Sequence, residues 1–183
     1  MAKLIAKPLG EGLLPLTIGT LTLSEASPKR LTAIAPWPGS VAAVAEILRG
    51  VGLDWPTADR AVKAEKGGAC LWSGRDQAFL IDHSIPEGLA DHAAVTELGD
   101  AWACVKLTGA EASAVLTRLV PLDLSPRAFA EGASARTGLG HMAILLHRSS
   151  ARSFTIYLFR SMIASAVHEI EGAMRSVAAR AQL

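Results

Sequence analysis

The amino-acid sequence predicts an α+β fold: two βαββ-type halves, of the ferredoxin-like split βαβ kind, forming one compact body with a C-terminal helix. Three observations predict it. Short apolar runs of strand composition recur along the chain, stretches with apolar residues at helical spacing separate them, and both occur twice in the same order. That order is strand, helix, loop, hairpin. It is stated over about residues 30–98 and again over 101–183, behind an N-terminal, strand-containing arm of residues 1–29. So little chain separates the two statements that the 183 residues are expected to form a single domain with an internal pseudo-repeat.

In chain order, "LTIGTLTL" (16–23) alternates apolar residues with Thr or Gly, as a strand does. The stretch before it begins with lysines and leucines like a secretory leader. Pro8, Glu11 and Pro15 interrupt any apolar core there, so a cytoplasmic protein is expected. "RLTAIAP" (30–36) is the next strand. A helix then starts at Ser40, carries Val41, Val44, Ile47 and Leu48 on one face, and ends at Gly50. Gly, Pro and Asp mark 51–59 as a loop, and 68–82 reads as a hairpin turning through Ser73-Gly74-Arg75-Asp76.

The second half opens with the strand "AWACVKL" (101–107). Thr108 and Glu111 have the spacing of a capping box, ahead of an apolar stripe of Ala112, Val115, Leu116 and Leu119. A loop over 120–129 matches that over 51–59. "ARTGLGHMAILLHR" (135–148) and "SFTIYLF" (153–159) make the second hairpin, with Gly138 and Gly140 at a tip. The last helix begins at Ser161 and sets Ile163, Val167, Ile170, Met174 and Val177 in a near-heptad stripe. That stripe is expected to pack on the sheet, with a partner helix as the alternative. The sheet is expected to be antiparallel, with its helices on one side.

Half of the residues are apolar, yet no run approaches the roughly 18 consecutive apolar residues that a membrane helix needs. The surplus belongs in the core or on a surface that another protein covers. A net charge of +1, scattered Lys and Arg, one Tyr and four Phe argue against a nucleic-acid surface. Cys70 and Cys104 each lie in an apolar run without His or Cys at zinc-binding spacing, so reduced core thiols are expected.

The stretch "RTGLGHMAILLHR" (136–148) concentrates chemical groups without arranging them for chemistry. In a strand, His141 and His147 would share a face with backbones roughly 20 Å apart, whereas one ion needs both nitrogens about 2 Å away. Gly138-Leu139-Gly140 precedes a strand rather than the helix N-terminus a phosphate loop requires. No nucleophile elbow is present, and Ser149, Ser150 and Ser153 fall in a polar turn. Asp54, Asp76, Asp82 and Asp123 occupy loop or strand-end positions where acids are ordinary turn residues. No catalytic residue, cofactor-binding residue or metal ligand is expected on this chain.

"GACLWSGRDQAFLI", "LTGAEASAVLTRLVPLDL", "RTGLGHMAIL" and "FTIYLFRSM", in this order and spacing, resemble the gamma subunit of heterotetrameric sarcosine oxidase. The likeness covers most of the chain from about residue 40 and extends to the Pro-Leu-Gly opening. It implies a fold like the folate-binding domain of the aminomethyltransferases of glycine cleavage. It further implies alpha, beta and delta subunits as partners, with FAD, FMN, NAD and tetrahydrofolate held on those other subunits. Such a complex demethylates sarcosine to glycine, producing hydrogen peroxide and formaldehyde or 5,10-methylenetetrahydrofolate. The gamma chain has no assigned catalytic residue and serves assembly and stability. Where the aminomethyltransferases carry a carboxylate after a Gly-Gly hairpin, this sequence has His141 and Met142. Lys66-Gly67-Gly68-Ala69-Cys70 echoes the Lys-Gly-Cys motif of related iron–sulfur maintenance proteins only superficially. The alternative is a stand-alone folate-binding or aminomethyltransferase-like protein of one-carbon metabolism.

For a subunit, the candidate partner contacts are Arg136, Arg148, Arg152 and Arg160, whose planar forks suit carboxylates and carbonyls. Trp37 and Trp55 stand beside prolines in loops and join that set, whereas Trp72 and Trp102 lie in core-like strands and are expected to be buried.

Overall fold

The N-terminal run "LTIGTLTL" folds into two strands rather than one. β1 (Leu16–Ile18) and β2 (Leu21–Glu25) pair antiparallel around Gly19, whose φ of +58° supplies the left-handed step a tight turn requires. The computed structural model describes residues 10, 12–64 and 67–180; most of the arm before Gly12, and Lys66, lie outside the described residues.

The first half comprises β3 (Leu31–Pro36), α1 (Val41–Gly50), β4 (Ala61–Lys63), β5 (Ala69–Gly74), β6 (Gln77–Ile81), α2 (Leu89–His92) and β7 (Ala93–Glu97). The second comprises β8 (Trp102–Thr108), α3 (Ala112–Leu116), β9 (Ser134–Leu139), β10 (Met142–Ser150), β11 (Ser153–Phe159), a 3₁₀ turn over Arg160–Met162 and α4 (Ile163–Arg180). The strands form two fully antiparallel sheets, ordered β4-β5-β6-β3-β7 and β1-β2-β8-β11-β10-β9. Replacing β3, β4, β5 and β6 by β8, β9, β10 and β11 converts the β4-β5-β6-β3 part of the first sheet into the β9-β10-β11-β8 part of the second, and β7 and β2 then flank the corresponding strands β3 and β8. Each half is therefore a strand, a helix and a three-stranded meander, one strand more than the expected βαββ. The extra strand of the first half, β4, is only three residues long, and neither it nor β7 ("AAVTE") has a periodicity that marks it in sequence.

The two sheets stack face to face. Between them lies a cluster drawn from both: Leu31, Leu71 and Phe79 from one sheet, Trp102, Cys104, Leu145 and Tyr157 from the other. Outside one sheet, α1 presses Val44 and Leu48 against Ile34, Ala78 and Leu80. Outside the other, α3 and α4 cover Ala103, Val105, Leu107, Phe154, Ile156 and Leu158. Helices thus lie on both outer surfaces, which corrects the expected one-sided arrangement. The reason is visible in β8: Trp102 and Cys104 face the opposite sheet while Ala103, Val105 and Leu107 face the helices. A strand apolar on both faces must be covered on both. The α4 stripe, Ile163, Val167, Ile170, Met174 and Val177, is buried in the helix-side cluster, so it packs on its own sheet. Each such side chain removed from water stabilises the fold by roughly 1.5–3 kcal/mol.

The expected capping box does not form. Thr108 ends β8 and its hydroxyl donates to the Thr22 carbonyl at 3.3 Å, while Glu111 sits at the N-cap position of a five-residue helix without a side-chain cap bond. Gly109 explains the local path. At φ +139° it crosses the β1–β2 turn so closely that a Cβ would stand 2.6 Å from the Thr20 oxygen.

Candidate functional site

The β9–β10 turn is Gly140-His141, because Leu139 pairs directly with Met142 and Gly140 takes φ +55°. The tip therefore lies beyond Gly138, and the Gly140 N–H is used on the Leu119 carbonyl at 3.1 Å. His141 is exposed in this turn instead of standing on the strand. His147 is buried within β10, where Nδ1–H donates to the Ala133 carbonyl at 3.1 Å. Burial, with Lys63 nearby, holds its pKa below the ordinary 6.5. The two histidines share no face. Among the described residues no group of three His, Cys, Asp or Glu is placed to hold a metal ion.

The thiols sit in the core as expected. Cys70 and Cys104 are free and buried, and desolvation pushes Cys70 up to about 12 and Cys104 higher still. Such thiols stay protonated and are poor nucleophiles.

A cleft of about 460 Å³ lies where the halves are laced together. There the Ser134 N–H donates to the Asp59 carbonyl at 2.9 Å, its hydroxyl to the Trp72 carbonyl at 3.1 Å, and the Ala61 N–H to the Gly132 carbonyl at 2.9 Å. Asp59, Arg60, Asp123 and Arg127 line the cleft, and all four are exposed. Asp123 accepts the Ser125 N–H at 2.8 Å, which holds its carboxyl below the usual range and makes it a turn residue. Among the described residues, the cleft converges no buried acid or base on a common point.

The candidate partner residues separate into distinct environments. Arg148 is withdrawn from the set: it is 5% exposed, donating from one guanidinium nitrogen to the carbonyls of Leu124 (3.1 Å) and Phe129 (2.8 Å) and from the other to Ala151 (2.9 Å). Its Nε has no hydrogen-bond partner among the described residues, and the guanidinium carbon stands 5.2 Å over the Phe154 ring. Trp55 is half-buried against the α1-side core, and Trp72 is also half-buried, more exposed than expected. Trp37 is 49% exposed after β3, and Arg152 is exposed in the β10–β11 turn. Arg160 is half-buried beyond β11, with its N–H on the Ala101 carbonyl at 2.9 Å.

Arg136 is exposed and reaches over Trp102, its guanidinium carbon 5.3 Å from the ring centroid. Partial desolvation lowers its pKa from the usual arginine value. Trp102 is buried, as expected, and touches Phe79 inside the molecule edge-to-face at 5.0 Å. Outside it touches Phe159, also at 5.0 Å. Phe159 and Met162 are exposed, and neither stands out in the sequence; the only signal is "FRSM", two large apolar residues at the switch from strand to helix.

No family model matches the chain. Sarcosine oxidase subunit gamma from Corynebacterium sp. (strain P-1) is 34% identical over 176 residues, covering 88% of this chain and 84% of that protein. The subunit of the same name from an Arthrobacter species is 32% identical over 151 residues, covering 76% and 73%. In fold, the chain is similar to a chain of the heterotetrameric sarcosine oxidase from Corynebacterium sp. U-96, with TM-score 0.80 and 23% identity over 94% of this chain and 96% of that one. It is also similar to the glycine cleavage system aminomethyltransferase T from Bartonella henselae, with TM-score 0.56 and 14% identity over 82% of this chain and 45% of that one. These two likenesses place the fold, which is shared with part of the glycine cleavage aminomethyltransferase, in keeping with the sequence resemblance. With its identity to the curated relatives running along most of its length, the chain belongs to the family of sarcosine oxidase gamma subunits.

Proposed function

We propose that this chain is the small, non-catalytic gamma subunit of a heterotetrameric oxidase that demethylates sarcosine to glycine, yielding hydrogen peroxide with formaldehyde or 5,10-methylenetetrahydrofolate. The observation that carries this reading is the 34% identity, across 88% of the chain, to a protein named sarcosine oxidase subunit gamma. In this reading the chain works as one folded domain in the cytoplasm. It assembles with and stabilises alpha, beta and delta subunits, which hold the FAD, FMN, NAD and tetrahydrofolate. No described helix is long and apolar enough to cross a membrane.

The local chemistry supports a scaffold role. Where the resemblance to the aminomethyltransferases implies an acid, this chain has His141 and Met142 at the hairpin tip, and the thiols are buried and held protonated. Co-expression of the other subunits with and without this chain tests the proposal. Omission is expected to leave an assembly of lower yield and thermal stability. An assembly of unchanged stability and sarcosine turnover would contradict it.

The fold likeness to the glycine cleavage aminomethyltransferase favours a second reading, a chain that binds folate by itself. Titration of the isolated protein with tetrahydrofolate separates the two. Stoichiometric micromolar binding would support the second reading, and no binding is expected under the first.

A further inference from the structure

We propose that the aromatic edge formed by Arg136, Trp102, Phe159 and Met162 receives another subunit of the assembly, and that its occupant is a segment bearing a carboxylate beside an aromatic or aliphatic side chain. This rests on the gamma-subunit reading and adds to it a location and a partner chemistry.

The inter-sheet core reaches the surface at this edge. Tyr157 and Phe79 stack edge-to-face at 6.3 Å, Phe79 and Trp102 at 5.0 Å, and the series ends on Phe159, which is 47% exposed. Met162, 42% exposed, follows three residues later in the 3₁₀ turn. A single exposed apolar side chain needs no explanation. Phe159 is continuous with the buried ring series, and with Met162 exposed three residues later it makes an apolar surface that a partner covers better than water does.

The charge at the edge selects the partner. Arg136 has lost part of its hydration to the Trp102 ring, and among the described residues no carboxylate lies within ion-pairing distance of it. Arg160, at the same edge, is already engaged within the chain. A guanidinium held over an indole has its fork oriented before the partner arrives, so a carboxylate gains charge-assisted hydrogen bonds at reduced entropic cost. Arg, Trp, Phe and Met are also the residues over-represented at the centres of protein interfaces. A second copy of this chain is a poor occupant, because the four residues that form this edge include a cation and no carboxylate to meet a second copy's Arg136.

The test measures affinity of the full chain for the remaining subunits purified without it. Arg136→Glu and Phe159→Asp are expected to weaken binding by roughly thirtyfold or more, as loss of an interface anchor does. Arg136→Lys should fall between them and wild type, and Ile85→Ser, an exposed apolar change outside this edge, should bind as wild type. Melting curves of the isolated variants establish folding; should Arg136→Glu or Phe159→Asp melt early, Met162→Glu carries the test. If wild type and edge variants bind equally, this surface is wrong while the subunit reading stands. If wild type does not bind, both fall. If the isolated chain self-associates and Arg136→Glu disperses it, the occupant is a second copy and the proposal is overturned.

Discussion

Arg136 and Arg148 project from adjacent strands of one sheet and meet opposite fates. Arg148, on β10 near the β10–β11 turn, donates to three backbone carbonyls and ties the 124–129 loop and the turn to the strand. Arg136, on β9, has an indole beneath it and no carboxylate within ion-pairing distance among the described residues. The same side chain closes one end of the sheet and leaves the other open. The difference teaches that exposure and unspent hydrogen-bonding capacity, rather than residue type, separate a partner contact from a structural staple.

The largest expected effect breaks the closed end. Arg148→Ala leaves the Leu124 and Phe129 carbonyls without their donor and should cost about 3 kcal/mol in urea unfolding of the isolated chain. A loss below about 1 kcal/mol would mean that water replaces the guanidinium and the end is not closed. Gly109→Ala comes next, at about 2 kcal/mol, because the added Cβ meets the Thr20 oxygen at 2.6 Å in a backbone that L side chains avoid. The same unfolding curves should show one transition, since the inter-sheet cluster takes residues from both halves.

A smaller effect is a pH dependence. His147 is held below 6.5 by burial, so as pH falls through 6.5 the unfolded chain takes up a proton that the folded chain refuses. Stability from this group is intact above 6.5 and declines as pH falls toward the lowered folded value. His147→Gln should flatten stability between pH 7 and 5 relative to wild type; parallel curves would place the histidine in solvent. The smallest effect sharpens the open end. Met162→Ser should change the stability of the isolated chain by no more than about 0.5 kcal/mol, because the side chain is already solvated.

Much of this architecture was legible in the sequence, and the misreadings have identifiable causes. The order of strand, helix and hairpin shared by both halves, the buried cysteines and the burial of the α4 stripe follow from periodicity and composition, whereas β4, α2 and β7 do not. The second sheet does not, because the doubly apolar run "AWACVKL" is consistent with either one well-covered sheet or two stacked ones. The Thr108–Glu111 spacing suits a cap, but Gly109 is needed for a tertiary crossing that local sequence does not encode. Arg136 and Arg160 stand out in the sequence by residue type and position, and the structure adds the indole beneath Arg136. The burial of Arg148 is not legible because two of its three acceptors come from a loop some twenty residues away, and the exposure of Phe159 is not legible because it ends the apolar run "IYLF" with nothing in the sequence to set its ring apart.

Oxidative side-chain labelling of the chain alone and within the assembled oxidase tests the central claim most directly. Phe159 and Met162 should label readily in the free chain and lose labelling on assembly, while Ile85 labels equally in both. Undiminished labelling of Phe159 and Met162 in an assembly that contains the chain would contradict the account.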